Sequence, residues 1–227
     1  FRSMGKKFFE KIELFLFDMD GLLFDTETIY VGYGHEVAKK MGYTITKDIV
    51  EKTTGVTDDK ARILFKESLG QEFPYDEMMG TVKDHILELA KKSEVPLKPG
   101  ALELLEFLRE NNKEMILATS SDLFMAEALI NGKDLKKYFS HFVTAEDVVH
   151  GKPDPEVFLI GAKKAGVSPK KTAVFEDSFN GIRAAHAAGT FPIMVPDKLK
   201  PTEEIEKLVY KKFNSLVEVL DYFKGND

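Results

Sequence analysis

Five short apolar runs, each ending in small, acidic or hydroxyl residues, limit what this chain can fold into more than any other feature. Residues 13–18 read ELFLFD and lead into Gly21; similar runs occur at 114–119 (EMILAT), 142–144, 172–175 (TAVF) and 191–195 (FPIMV). A strand that is apolar on both faces belongs to a parallel sheet covered by helices on each side. Between the runs lie helical patterns. Residues 101–110 carry Leu104, Leu105 and Leu108 on one face, 123–130 follow, 156–165 close on Gly166, and 181–188 close on Gly189. Strand and helix alternate, which predicts an open α/β sheet with right-handed crossovers.

The stretch from about 27 to 94 breaks this alternation, because it holds helical patterns and no convincing strand. Tyr30, Tyr33, Val37 and Met41 share one helical face before Gly42, and Met78, Val82, Ile86 and Leu89 share another, with Thr46 and Thr57 as N-caps. Residues 94–100 (EVPLKPG) carry two prolines and a glycine where the chain re-enters the sheet. The expected organisation is therefore a Rossmann-like core of residues 1–27 and 97–227, with a small helical cap, residues 28–96, inserted after the first strand.

Composition narrows the partners. With 32 Lys and Arg against 38 Asp and Glu, the net charge of −6 offers no basic field for nucleic acid or anionic lipid. No cysteine is present, so disulfides, zinc–thiolate sites and thiol nucleophiles are excluded. No apolar run approaches the roughly 18 residues needed to span a bilayer, and the first residues lack a secretory pattern. A cytoplasmic monomer is expected. Phe1, Arg2 and Ser3 ahead of Met4 read as a cloning remnant and are set aside.

In open α/β sheets ligands bind at the carboxyl ends of the strands, and here those ends are acidic. Asp18, Asp20 and Gly21 follow the first strand, Thr119, Ser120 and Ser121 the second, and Glu176 and Asp177 the fourth; Lys152 lies in the turn 151–155 (GKPDP) after the third. Carboxylates converging in a partly dry site repel one another, and a divalent cation is the simplest relief. An all-oxygen set without His or Cys points to magnesium. A lysine and hydroxyls at the same edge equip it to hold phosphate oxygens. In Asp18-Met19-Asp20 one carboxylate is placed to attack phosphorus while the other moves a proton. Taken singly, each piece also fits a solvated turn, a surface lysine or a helix cap; the ordered set of four is what carries the reading.

That set resembles the haloacid dehalogenase superfamily of phosphohydrolases over nearly the whole chain. Its motifs are matched by 18–27 (DMDGLLFDTE), 117–121 (LATSS), 151–155 (GKPDP) and 175–182 (FEDSFNGI). The resemblance implies Asp18 as nucleophile, Asp20 as general acid and base, and Thr119 and Lys152 as catalytic partners of the phosphate, which Gly21 and Ser120 also bind. It implies magnesium held by Asp18, the main-chain carbonyl of Asp20, and Asp177, with Glu176 as a ligand or its partner. The substrate class implied is a small phosphorylated metabolite, nucleotide-like or sugar monophosphate.

Within the superfamily the chain looks most like the branch of pseudouridine 5′-phosphatases and β-phosphoglucomutases, and nearer the former through stretches such as 150–159 (HGKPDPEVFL) and 194–197 (MVPD). Where a mutase carries a cap arginine for a second phosphate, residues 54–58 (TGVTD) place Asp58; where it carries a histidine, this chain has Tyr30; after the second motif it has Asp122 and Leu123. Asp58 is expected to repel a bisphosphate, which favours hydrolysis over the alternative of a sugar phosphomutase. A non-catalytic binding module or a receiver-like phosphoprotein fits less well, because nucleophile, acid and metal ligands are all in place. The five histidines, the Tyr30 and Tyr33 stripe and Lys211-Lys212 read as solvated or core positions, the lysines on a helix face and His150 near the mouth of the site.

Overall fold

The computed structural model describes residues 2–226. Helix α1 (Met4–Lys11) precedes β1 (Leu14–Phe17), after which four helices follow without a strand: α2 (Thr26–Lys40), α3 (Lys47–Thr53), α4 (Asp58–Leu69) and α5 (Tyr75–Lys91). The α/β alternation then resumes with α6 (Ala101–Glu110), β2 (Glu114–Ala118), α7 (Leu123–Gly132), β3 (His141–Val143), α8 (Glu156–Ala165), β4 (Thr172–Glu176), α9 (Phe179–Ala187), β5 (Phe191–Met194), α10 (Glu203–Leu208), β6 (Lys211–Lys212) and α11 (Leu216–Lys224).

The strands form one parallel sheet in the order β3-β2-β1-β4-β5-β6. Alternating side chains leave β1 on opposite faces. Leu14 and Leu16 pack with Val157, Phe158 and Ala184 of α8 and α9, whereas Phe15 and Phe17 join the larger cluster that includes α1, α6 and α11. Both faces are dry, which is why the strands read as apolar runs. From β1 the chain winds one way through β2 and β3 and the other way through β4, β5 and β6. The order reverses between β1 and β4, and a crevice opens at their carboxyl ends.

Some local readings are corrected. Lys211 and Lys212 lie on β6, an exposed edge strand, and not on a helix: the backbone of β5 offers a pairing edge, and lysines there discourage further strand addition. Ser3, set aside as a remnant, caps α1 by accepting the Lys6 N–H at 3.1 Å; Phe1 lies outside the described residues. Thr46 and Thr57 cap α3 and α4 as their positions predict.

The four-helix segment packs Phe65 on Phe73 at 5.6 Å and buries Met78, Val82 and Ile86 of α5, an apolar interior continuous with the larger cluster under the sheet. Its two connections to the sheet run side by side: Phe24 bridges Leu97, Asp25 donates its N–H to Pro96 at 2.9 Å, and Lys98 donates to Leu23 at 2.7 Å. It also approaches the sheet and its loops at two glycines that leave little room for a side chain. A β-carbon on Gly55, whose φ is +79°, would stand 2.5 Å from Ser178 Oγ, and one on Gly151 would stand 2.3 Å from Thr57 Cγ2. Among the described residues no helix is long and apolar enough to cross a membrane.

Candidate active site

The first turn after β1 places Asp18, whose side chain is one-tenth exposed, at the reversal point of the sheet. Lys152, buried beneath it, donates to Asp18 Oδ1 at 2.9 Å, to Glu176 Oε2 at 2.6 Å and to the Ala118 carbonyl at 3.2 Å, which uses all three ammonium hydrogens. Burial pulls the Lys152 ammonium down, but the Asp18 and Glu176 carboxylates outweigh it and hold Lys152 above its ordinary value. The lysine is thus a fixed positive charge in a dry wall.

Glu176 ends β4, and its carboxyl group lies against α9 so closely that a β-carbon on Gly181 would stand 2.0 Å from it. Burial and the Asp18 charge push Glu176 up to about 7, even with Lys152 bound to it. Asp177 beside it is raised well above the usual carboxylate range by burial and by Asp18. One ligand oxygen each from Asp18, Glu176 and Asp177 lie within 4.8 Å of one another. Asp177 Oδ1 is buried with no hydrogen-bond partner. One lysine cannot balance three buried carboxylates, and an orphaned oxygen among hard donors fits a magnesium-class cation.

Asp20 differs from Asp18 in its surroundings. It is half-buried, and its two oxygens accept hydroxyl hydrogens from Thr26 at 2.6 Å and Ser121 at 2.8 Å. Withdrawal from water, reinforced by the Asp18 charge, pushes its pKa above the ordinary value against the pull of those hydroxyls and of Lys152. Two carboxylates two residues apart therefore have different partners, a buried lysine for Asp18 and two hydroxyls for Asp20, a setting in which one can serve as nucleophile and the other as acid.

Thr119 is buried at the end of β2. Its Oγ1 accepts the Ser121 N–H at 3.0 Å, so its own hydrogen is free to donate elsewhere. Gly21 takes φ +79°, a left-handed turn with no room for a side chain, because a β-carbon would stand 2.2 Å from Asp177 Oδ2. The structure brings Asp18, Asp20, Ser120, Lys152 and Asp177 to one cavity of about 160 Å³; Gly21, Thr119 and Glu176 do not line it but touch its surroundings, Glu176 through Lys152, Thr119 through Ser121 and Gly21 beside Asp177.

The opposite wall comes from the helical segment, and there the sequence reading needs three corrections. Tyr30 and His35, read as bland positions, line the cavity, while Tyr33 does not and stacks on His85 at 4.3 Å. His150 borders a separate surface depression. Asp58 lines the cavity but is not an unbalanced acid: it is ion-paired with Lys83, and its Oδ1 accepts the Tyr75 hydroxyl at 3.0 Å. The pairing joins α4 to α5, a contact that no local pattern announces.

Glu27 and Thr26, inside the first motif, and Ser121, one of the strand-end hydroxyls, gain contacts at the site that the sequence alone does not assign. Glu27 lines the cavity and is pushed up to about 8 by burial and by the charges of Asp20, Asp197 and Asp18. All three lie within or next to the strand-end motifs, and that proximity was the available signal.

Residues 12–189 match the family model of haloacid dehalogenase-like hydrolases. A phosphorylated carbohydrates phosphatase of Thermotoga maritima is 34% identical over 182 residues, 78% of this chain and 82% of the relative. A Drosophila melanogaster protein named "Probable pseudouridine-5'-phosphatase" is 34% identical over 200 residues, 86% of each. The crystal structure of CbbY from Rhodobacter sphaeroides in complex with phosphate superimposes with a TM-score of 0.76 over 94% of this chain and 99% of that one; at 23% identity it shows the shared fold. The chain belongs to the haloacid dehalogenase-like hydrolases and is an enzyme of the phosphatase type.

Proposed function

We propose that this hydrolase is a magnesium-dependent phosphomonoesterase that works through a phosphorylated Asp18 on a small metabolite with an uncharged, hydroxylated leaving group, either a sugar or a nucleoside-like group. The observation that carries the reading is the placement at one cavity wall of Asp18, bonded by the buried Lys152, and Asp20, bonded by two hydroxyls and raised by burial. In this reading an Asp18 oxygen attacks phosphorus, the bond to the leaving oxygen breaks, and Asp20 gives that oxygen its proton. Asp20, now ionised, takes a proton from water as the water attacks the phosphorylated Asp18, which releases phosphate and restores both carboxyl groups.

Lys152 balances the charge of Asp18 and the phosphate; Thr119, Ser120 and the backbone at Gly21 hold the phosphate oxygens. Asp18, the Asp20 carbonyl and Asp177 hold the cation, with Glu176 fixing Lys152 and offering a further oxygen. Bound there, magnesium supplies charge stabilisation for the transferring phosphoryl group. Residues 28–96 act as the cap and 1–27 with 97–227 as the catalytic core, a division supported by the paired connections and by the two glycine contacts. All these groups come from one chain, so the reading needs no partner subunit.

The substrate class follows from the cap wall. Lys83, the one cation that the helical segment contributes to the cavity among the described residues, is already engaged by Asp58. A second phosphate would meet a neutral pair where a mutase needs a free cation. Hydroxyl groups suit Asp58, Lys83 and the Tyr30 phenol, which burial keeps protonated.

A panel of sugar, polyol, nucleotide and pseudouridine monophosphates assayed for phosphate release tests the proposal, with Asp18→Asn as control. Release from a subset, lost in Asp18→Asn and after EDTA, is expected. Conversion of β-glucose 1-phosphate to the 6-phosphate without phosphate release, read by a coupled dehydrogenase, would overturn it in favour of a mutase.

A further inference from the structure

Two buried side-chain oxygens have no hydrogen-bond partner among the described residues. One is Asp177 Oδ1, in the acidic cluster; the other is Asp197 Oδ2. Asp197 lies in the loop after β5, at the end of the stretch 194–197 (MVPD), and its side chain is 5% exposed. Its Oδ1 accepts from Lys98 Nζ at 2.7 Å. Its Oδ2 faces the notch over Gly21: a β-carbon built there would stand 2.2 Å from Asp177 Oδ2 and 3.2 Å from Asp197 Oδ2. The two carboxylates therefore border the same small space, which glycine leaves open.

A buried carboxylate oxygen without a donor is costly, and a second carboxylate beside it makes the space more negative. Lys98 answers only half of Asp197. A donor that fits the other half carries hydrogens and positive charge, as a water bound to a divalent cation does; magnesium keeps several waters, and their hydrogens need acceptors. Lys98 in turn sits in the second connection to the helical segment, where its N–H bonds Leu23 and its neighbour Leu97 bridges Phe24. Asp197 thus has one oxygen on the connection to the helical segment and the other at the Gly21 notch that Asp177, a member of the acidic cluster, also borders.

We infer that Asp197 is a positioning residue for the cation, accepting from its bound water through Oδ2 while Lys98 fixes the carboxylate from the side of that connection. The inference rests on the metal site proposed above. It assigns a role to a residue whose partners, Lys98 and Gly21, are remote from it in sequence.

Calorimetric titration of Mg²⁺ into the substrate-free full chain tests it, with the Mg²⁺-induced rise in melting temperature as a second readout. Asp197→Asn is expected to weaken Mg²⁺ binding roughly 10- to 100-fold and to shrink that rise. Lys98→Met, which breaks the same ion pair but keeps the acceptor and leaves it more negative, is expected to bind Mg²⁺ at least as tightly as the unmodified chain. If Asp197 served only to anchor Lys98, the two variants would shift Mg²⁺ affinity alike. That result, or an Asp197→Asn affinity within twofold of the unmodified chain, would overturn the inference while leaving the metal site intact. An unmodified chain that takes up no Mg²⁺ would instead overturn the metal reading itself, and the inference with it.

Discussion

Replacing Lys152 by methionine tests the charge balance on which the site stands. The side chain is 2% exposed and donates to Asp18, Glu176 and the Ala118 carbonyl. Methionine fills similar volume, so packing loss is small and the change is mainly electrostatic. Two buried carboxylates then lose their cation, and breaking a buried pair by removing one partner costs about 3–5 kcal/mol. For a chain of this size each kcal/mol lowers the melting temperature by about 2–4 °C, so the expected drop is roughly 6–20 °C. Urea unfolding in EDTA followed by circular dichroism reads the loss directly. The double variant Lys152→Met/Glu176→Gln, which neutralises one of the stranded carboxylates, should recover a substantial part of it, and saturating Mg²⁺ should recover part in the single variant. A loss under about 1 kcal/mol, or a double variant no more stable than the single one, would show that Lys152 does not balance these charges, and the account of Glu176 would fail with it.

Three further outcomes are expected. Asp20→Asn should still accept phosphate on Asp18 from substrates with good leaving groups but turn over roughly 10²- to 10⁴-fold more slowly; a change confined to KM would assign Asp20 another role. In EDTA the protein should lose stability as pH rises from about 4.5 through about 7. Glu176 holds its proton to about 7 in the folded chain against an ordinary value of 4.5, and Asp20 and Asp177 shift the same way, so the unfolded chain binds fewer protons across that window. Urea midpoints at pH 5 and pH 8 measure this, Mg²⁺ should flatten the difference, and a midpoint that rises with pH in EDTA would contradict it. Gly55→Ala places a β-carbon at φ +79° against Ser178; a left-handed residue costs about 1–2 kcal/mol, so kcat/KM should fall at least about 5- to 30-fold. Unchanged kcat/KM would show that this contact is not part of the working state.

Much of the molecule is legible in the linear chain because its information is local. An apolar run flanked by turn residues marks a strand buried on both faces, and β1 to β5 lie where 13–18, 114–119, 142–144, 172–175 and 191–195 predict them to within a residue or so at each end. Thr46 and Thr57 mark helix starts through bonds three residues away. The candidate chemistry is legible for a related reason: a parallel sheet delivers every strand end to one edge, so Asp18, Thr119, Lys152 and Glu176 need only be named in order to be placed together.

What the chain does not announce is whatever depends on two distant segments meeting. The acid at 58 reads as repulsive until α5 brings Lys83 to it from 25 residues away, and only the folded helical segment turns the pair into a near-neutral wall. Whether Tyr30 or Tyr33 faces the cavity is decided by how α2 leans on α5, because both residues satisfy the same apolar periodicity. Lys211 and Lys212 become an edge strand only because β5 stands beside them with free backbone groups. Asp197 and Lys98 are 99 residues apart, and neither is distinctive by type. Periodicity and capping encode contacts within a few residues, while ion pairs and unsatisfied oxygens record which surfaces packing has brought together, and that is settled only in the tertiary structure.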